Sequence, residues 1–234
     1  MIILILIAFA VLFFMFNVLP ITKGNHLWSL LFLAGFILSG AAIIANDVNH
    51  FGMQVQSQTK TYHLASDSDK MGVLLYKALG NGQEKIYVYK TSAKQAKPKP
   101  TKTSDFSAKV TRTKEDSYLK VTTKRYVYTN KWSKLLFGVF GNNREVKHRY
   151  YHFYVNKDWY VLSTDQAARL SKLLKTKQTE MKTKIASLVK AKLTQEIMAN
   201  PSLAADSSKQ QALTEAATKV ATKQVLDQYV AQIK

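Results

Sequence analysis

Two uncharged apolar runs open the chain, Ile2 to Leu19 and Leu27 to Ala45. At about 1.5 Å of rise per residue each reaches roughly 27 to 29 Å as a helix, close to the hydrocarbon thickness of a bilayer. Between them lie Pro20, Lys23, Gly24, Asn25 and His26, a turn in both composition and length. The pattern predicts a transmembrane helical hairpin over residues 1–46, with spans at 2–19 and 27–45. On the second span Gly35, Ser39, Gly40 and Ala42 are small enough to let another helix approach closely. Gly35 and Gly40 are five apart, so the strict dimer motif is missing. The face therefore suits either the first span or a second copy.

Past Asn46 the period changes. Gln54 to Tyr62 alternates as an edge strand does, and Val73 to Leu79 and Lys85 to Thr91 bracket Gly80-Asn81-Gly82, a hairpin signal. Ser92 to Ser104 interrupts the strands. Pro98 and Pro100 donate no ladder hydrogen bonds and the lysines repel one another, so residues 92–104 are expected to form a Lys/Pro-rich loop. Strands are expected again at Phe106 to Thr113 and Tyr118 to Thr129, joined as a hairpin through Glu115-Asp116-Ser117. Glu145 to Val155 and Trp159 to Leu162 are expected to form a last hairpin across Asn156-Lys157-Asp158.

Residues 131–140 stand apart, with Lys131, Trp132, Lys134, Leu135, Leu136, Phe137 and Phe140 packed into ten positions. They suit a lipid-contacting interfacial element, or a strand or turn closing the β core. Ser163-Thr164-Asp165-Gln166 is a capping-box pattern, which starts a helix. Apolar residues at helical spacing, from Leu170 to Ile197, predict one helix over 164–199. Asn200-Pro201 ends it, and a second helix is expected over 208–233. The fold class is an α+β membrane protein: a transmembrane hairpin, an antiparallel β domain over 47–163, and a C-terminal helical tail over 164–234 made of a pair of α-helices.

Charge adds a preferred partner. The formal net charge is +19, and residues 51–163 alone hold 21 basic against 8 acidic side chains. Such a surface attracts polyanions, either anionic lipid headgroups or acidic wall polymers. Without a basic recognition helix a specific nucleic-acid partner is not expected. Lys94, Lys97, Lys99 and Lys102 form the densest basic strip and are the candidate polyanion contact. Orientation rests on Lys23, the basic residue of the short loop, which is expected to stay cytoplasmic. Both termini and the soluble region then face outward from a multi-pass protein of the cell membrane.

The motifs of common chemistry are missing. There is no cysteine, no phosphate-cradling glycine loop, no G-x-S-x-G elbow and no H-E-x-x-H. His148 and His152 are four apart, a chelating spacing on a helix but not on the strand expected there. His63 with Asp67 and Asp69 is the compact His–carboxylate cluster, and turn aspartates ordinarily cap and solvate. No catalytic, cofactor-binding or metal residue is assigned, and no cofactor is expected.

This order of elements, with a lysine- and tyrosine-rich β region ending in Tyr151 to Ser163 (YHFYVNKDWYVLS), resembles a family of uncharacterised two-span membrane proteins. That family is a domain of unknown function from lactobacilli and related Gram-positive bacteria. The resemblance implies a Gram-positive envelope location and carries over no functional residue. The expected role is a non-enzymatic, membrane-anchored envelope module that binds or assembles near anionic lipids or wall polymers. An accessory subunit of a membrane complex, with a membrane-protein partner or self-association, and an envelope enzyme without a recognisable motif remain alternatives.

Overall fold

Leucine, isoleucine and phenylalanine without a helix breaker form α1 (Ile2–Val18). Leu19 is extended because the proline that follows disfavours the helical region for its predecessor. α2 (Asn25–Asn49) packs beside it. The computed structural model describes residues 1–19, 25–66, 68, 71–80, 84–200, 203 and 207–233. Lys23, Asp67, Asp69, the Asn81-Gly82 turn and Pro201 lie outside the described residues.

Of the two helices, α2 is long and apolar enough to cross a membrane by length and composition, while α1, with 17 residues, is shorter. Close packing between them follows from small residues. A Cβ at Gly35 would lie 2.8 Å from the Phe9 ring, so that ring rests directly on the α2 backbone. Phe16 meets Phe32 at 5.2 Å with the rings tilted by 50°, and Trp28 stacks on Phe32 at 6.1 Å.

The β region holds eight strands among the described residues: β1 (Met53–His63), β2 (Val73–Leu79), β3 (Glu84–Tyr89), β4 (Lys99–Pro100), β5 (Phe106–Thr113), β6 (Tyr118–Tyr128), β7 (Val146–Asn156) and β8 (Tyr160–Ser163). They form two four-stranded, antiparallel-rich sheets, in the orders β1-β6-β7-β5 and β4-β3-β2-β8. β1 is an edge strand, as its alternation predicts, and β2 and β3 pair antiparallel with Leu75 opposite Val88.

Three expectations are corrected. β5 and β6 are not a hairpin, because β7 lies between them. β7 and β8 are not a hairpin either, and β8 runs parallel to β2, with Val73 opposite Tyr160. The turn at 156–159 moves the chain from one sheet to the other. Asn156 holds it by donating to the Lys114 and Glu115 carbonyls, and the Trp159 indole lies on Gly72, where any Cβ would sit 2.3 Å from the ring. Finally, Lys99–Pro100 of the predicted loop is a short strand on β3. An edge position leaves proline's missing N–H facing outward, and the Thr101 N–H completes the ladder by donating to the Tyr87 carbonyl at 2.8 Å.

The tail is also reorganised. Ser163 caps α4 (Thr164–Thr176) with both halves of the capping box present. The predicted long helix breaks at Lys177, which leaves helical geometry (φ −102°, ψ 20°), and α5 (Gln178–Ala199) follows. With α6 (Ser207–Ile233) the tail therefore has three α-helices among the described residues where a pair was expected. No glycine or proline marks the break.

The chain divides into two compact units. One comprises Met1–Thr61, Lys102–Lys109 and Leu119–His152; the other comprises Tyr62–Thr101, Val110–Tyr118 and Phe153–Lys234. The second unit has its own core, in which Leu162, Leu170, Val225, Tyr229, Val230 and Ile233 are buried together.

Candidate membrane-interface site

Residues 131–140 fold as a short amphipathic helix, α3 (Lys131–Phe137), followed by a 3₁₀ turn, Gly138–Phe140. Asn130 starts it by accepting from the Ser133 N–H at 2.8 Å. Helical spacing sorts the side chains onto two faces. Trp132, Leu135 and Val139, at i, i+3 and i+7, point outward, with Trp132 74% exposed. Ser133 and Phe137, at i and i+4, point inward. The Phe137 ring is buried and meets Phe51 edge-on at 6.3 Å, and Gly52 packs on Ser133.

Of the residues expected at a lipid surface, Lys131, Trp132, Lys134 and Leu135 are exposed, while Leu136 and Phe140 are half-buried. Phe137 is a core residue, so its place on a contact surface is corrected. The expectation missed Val139, whose helical spacing from Trp132 and Leu135 was the available signal.

α3 is tied to the ends of both apolar helices. The Met1 amine donates to the Leu135 and Leu136 carbonyls at 3.0 and 3.1 Å, acceptors that a short helix leaves unmet in its last turn. Phe51, against which α3 packs, is the second residue past the end of α2. The junction at the end of α2 is polar inside. Asn46, with 0% exposure, donates to the Phe51 carbonyl at 2.6 Å and accepts from Asn142 Nδ2 at 3.0 Å. The Asn142 carbonyl oxygen accepts in turn from the Tyr128 hydroxyl, whose pKa is raised by burial. His50, at a positive φ of 55°, turns the chain out of the helix and stacks its ring on Tyr126.

The small-residue face of α2 meets α1 at Gly35, under Phe9, and at Gly40, near Leu6. The Ser39 hydroxyl bonds back to the Gly35 carbonyl at 2.7 Å, and Ala42 is half-buried. Lys94, Lys97, Lys99 and Lys102 are all exposed and pair with no carboxylate among the described residues. The first three belong to one unit and Lys102 to the other.

The histidines are placed apart from one another's chemistry. His63 Nδ1 lies 3.0 Å from the Ser117 carbonyl, and His148 Nε2 lies 2.7 Å from the Ser107 hydroxyl. Both His148 and His152 are on β7. No group of three or more His, Asp or Glu able to hold a metal occurs among the described residues. Tyr160 is strongly perturbed. Burial, then its 2.8 Å hydrogen bond to Asp227, holds its proton well above the ordinary range.

His152 has its pKa lowered from 6.5, first by burial and then by Lys109 and Lys120, which disfavour a further positive charge. In the unfolded chain the ring regains its ordinary affinity, so below pH 6.5 the unfolded state binds more protons than the folded one. Stability is therefore complete above that value and falls on acidification through the window below it. The variant His152→Gln is expected to show a smaller drop in melting temperature between pH 7.5 and pH 5.5 than the parent, as read by thermal unfolding in detergent. An equal drop would assign the acid sensitivity elsewhere.

The arrangement is that of an α+β protein with an apolar N-terminal helix and an amphipathic helix at that helix's end. The chain belongs to a family described as a domain of unknown function, DUF4811, whose model matches residues 22–170. The match takes in α2, the β region and the first part of α4. No curated protein and no solved structure matches the chain.

Proposed function

We propose that this chain is a non-enzymatic, membrane-anchored envelope protein, held by two spans, whose basic β region works outside the cell against anionic lipids or wall polymers. The observation that carries the reading is the outward belt of α1 and α2. Leu27, Leu30 and Leu38 are 82%, 70% and 69% exposed, and Leu4, Phe14, Ile44 and Val48 are also uncovered. A water-exposed apolar surface of that extent is unfavourable, and hydrocarbon covers it without cost. Two crossings also agree with α3 touching both the start of α1 and Phe51, two residues past the end of α2. That geometry brings the two helix ends to one side.

α3 adds a second touch on the same membrane, with Trp132, Leu135 and Val139 at acyl-chain depth and Lys131 and Lys134 at the phosphates. Lys23 in the loop favours a cytoplasmic turn and an outward β region. There the excess of lysine meets teichoic-type polymers or acidic headgroups, in keeping with a Gram-positive origin.

Protease added to intact protoplasts is expected to remove the β region and tail, leaving a small fragment that resists alkaline carbonate extraction. Full protection of the β region overturns the orientation. Release of the intact chain by carbonate overturns the anchoring.

A further inference from the structure

The second unit contains a cavity of about 600 Å³, within the range of small-molecule sites. It lies beside the break at Lys177, lined by residues of α4, α5, α6 and the β2–β8 pair. Val73, Leu75 and Leu162 of the β2–β8 pair form the floor, and Leu174, Met181 and Ile185 form the wall. No aromatic ring and no described carboxylate line it, so the cavity offers nothing on which a flat heterocycle would stack. Its aliphatic and thioether surface instead suits a flexible hydrocarbon chain.

The polar lining consists of Ser68, Ser171, Lys175, Gln178, Lys182 and Thr222. The neighbouring lysines are already engaged: Lys177 and Lys184 both hold Glu180, at 3.1 and 2.8 Å, and depress its pKa. Lys175 and Lys182 pair with no described carboxylate. An apolar chamber with two uncompensated cations is complementary to one long chain with one anionic end.

We propose that this cavity binds a long-chain fatty carboxylate, its hydrocarbon along Val73, Leu75 and Leu162 and its carboxylate held by Lys175 and Lys182. This site is independent of the membrane orientation proposed above.

The test uses the full chain in nanodiscs of phosphatidylcholine, a diazirine analogue of palmitate, and mass spectrometry of the adducts. Adducts are expected on peptides covering 71–75 and 162–185, suppressed by unlabelled palmitate. Ile185→Trp, which fills the chamber, is expected to abolish them while the melting temperature is kept, and Leu174→Phe provides a second filling variant. The double variant Lys175→Glu with Lys182→Glu is expected to weaken competition by palmitate roughly tenfold and leave competition by hexadecanol unchanged. Adducts spread over exposed helices, or unaltered by the filling variants, overturn the site. Equal competition by palmitate and hexadecanol in the parent overturns the role of the lysines. Competition by lysophosphatidylglycerol but not by palmitate overturns the fatty carboxylate as occupant.

Discussion

Asn46→Leu is expected to destabilise the junction after α2 by about 1 to 3 kcal/mol, since it leaves two part-buried polar groups without their partner. The first is the Phe51 carbonyl, which now receives the Asn46 amide at 2.6 Å. The second is the Asn142 amide nitrogen, which now donates to Asn46 at 3.0 Å. Leucine fills a similar volume, so packing changes little and the loss is one of hydrogen bonding. The readouts are thermal unfolding in detergent and hydrogen exchange at the Phe51 and Met53 amides, which bond to Ala45 and His50. Tyr128→Phe removes only the outer hydroxyl of the same network and is expected to cost about 1 kcal/mol. Unchanged exchange at Phe51 in Asn46→Leu would show that the network does not hold the junction.

Asn46 also illustrates what the sequence shows and what it conceals. An asparagine ending an apolar run reads as the limit of a span, while the helix itself continues three residues further, to Asn49. Its partner Asn142 lies 96 residues away, so no local pattern reveals that it is the hub of a buried network. Strand positions in the β region were legible because alternation is local. Strand partners were legible only for β2 and β3, where the sequence Gly80-Asn81-Gly82 between them is a hairpin signal. β8 beside β2 depends on the Trp159 indole finding a glycine at 72, a packing choice across the chain. The pair at 99–100 was hidden by proline itself, since a missing donor excludes a central strand and leaves an outer one open. For residues 131–140, composition identified an unusual segment and helical spacing was there to sort it. Reading the whole segment as a lipid-contacting element placed Phe137 on the surface and overlooked Val139, whereas the alternative of a turn closing the β core is the one that buries Phe137. The break at Lys177 has no breaker residue, and the cavity beside it therefore had no sequence signature.

Gly35→Leu is expected to separate α1 from α2. Even a Cβ there would lie 2.8 to 2.9 Å from three atoms of the Phe9 ring, and a ring pressed on backbone has no flexible end to move aside. Either the helices part or Phe9 rotates and gives up its contact with Phe32, centred 6.4 Å away. In the membrane placement proposed above no hydrophobic gain offsets the loss, because a leucine is as well solvated by acyl chains as by another helix. Overpacking of this kind costs about 1 to 3 kcal/mol. The chain has no cysteine, so a pair introduced at Leu6 and Gly40, which face one another, reports the hairpin by oxidative cross-linking in membranes. The intramolecular cross-link is expected to form readily in the parent and to fall sharply with Gly35→Leu. Adding Phe9→Ala to that variant reopens space for the leucine and is expected to restore the yield. Restoration separates a specific ring-on-backbone contact from general misfolding, and a cross-link formed between chains would assign the small-residue face of α2 to a second copy.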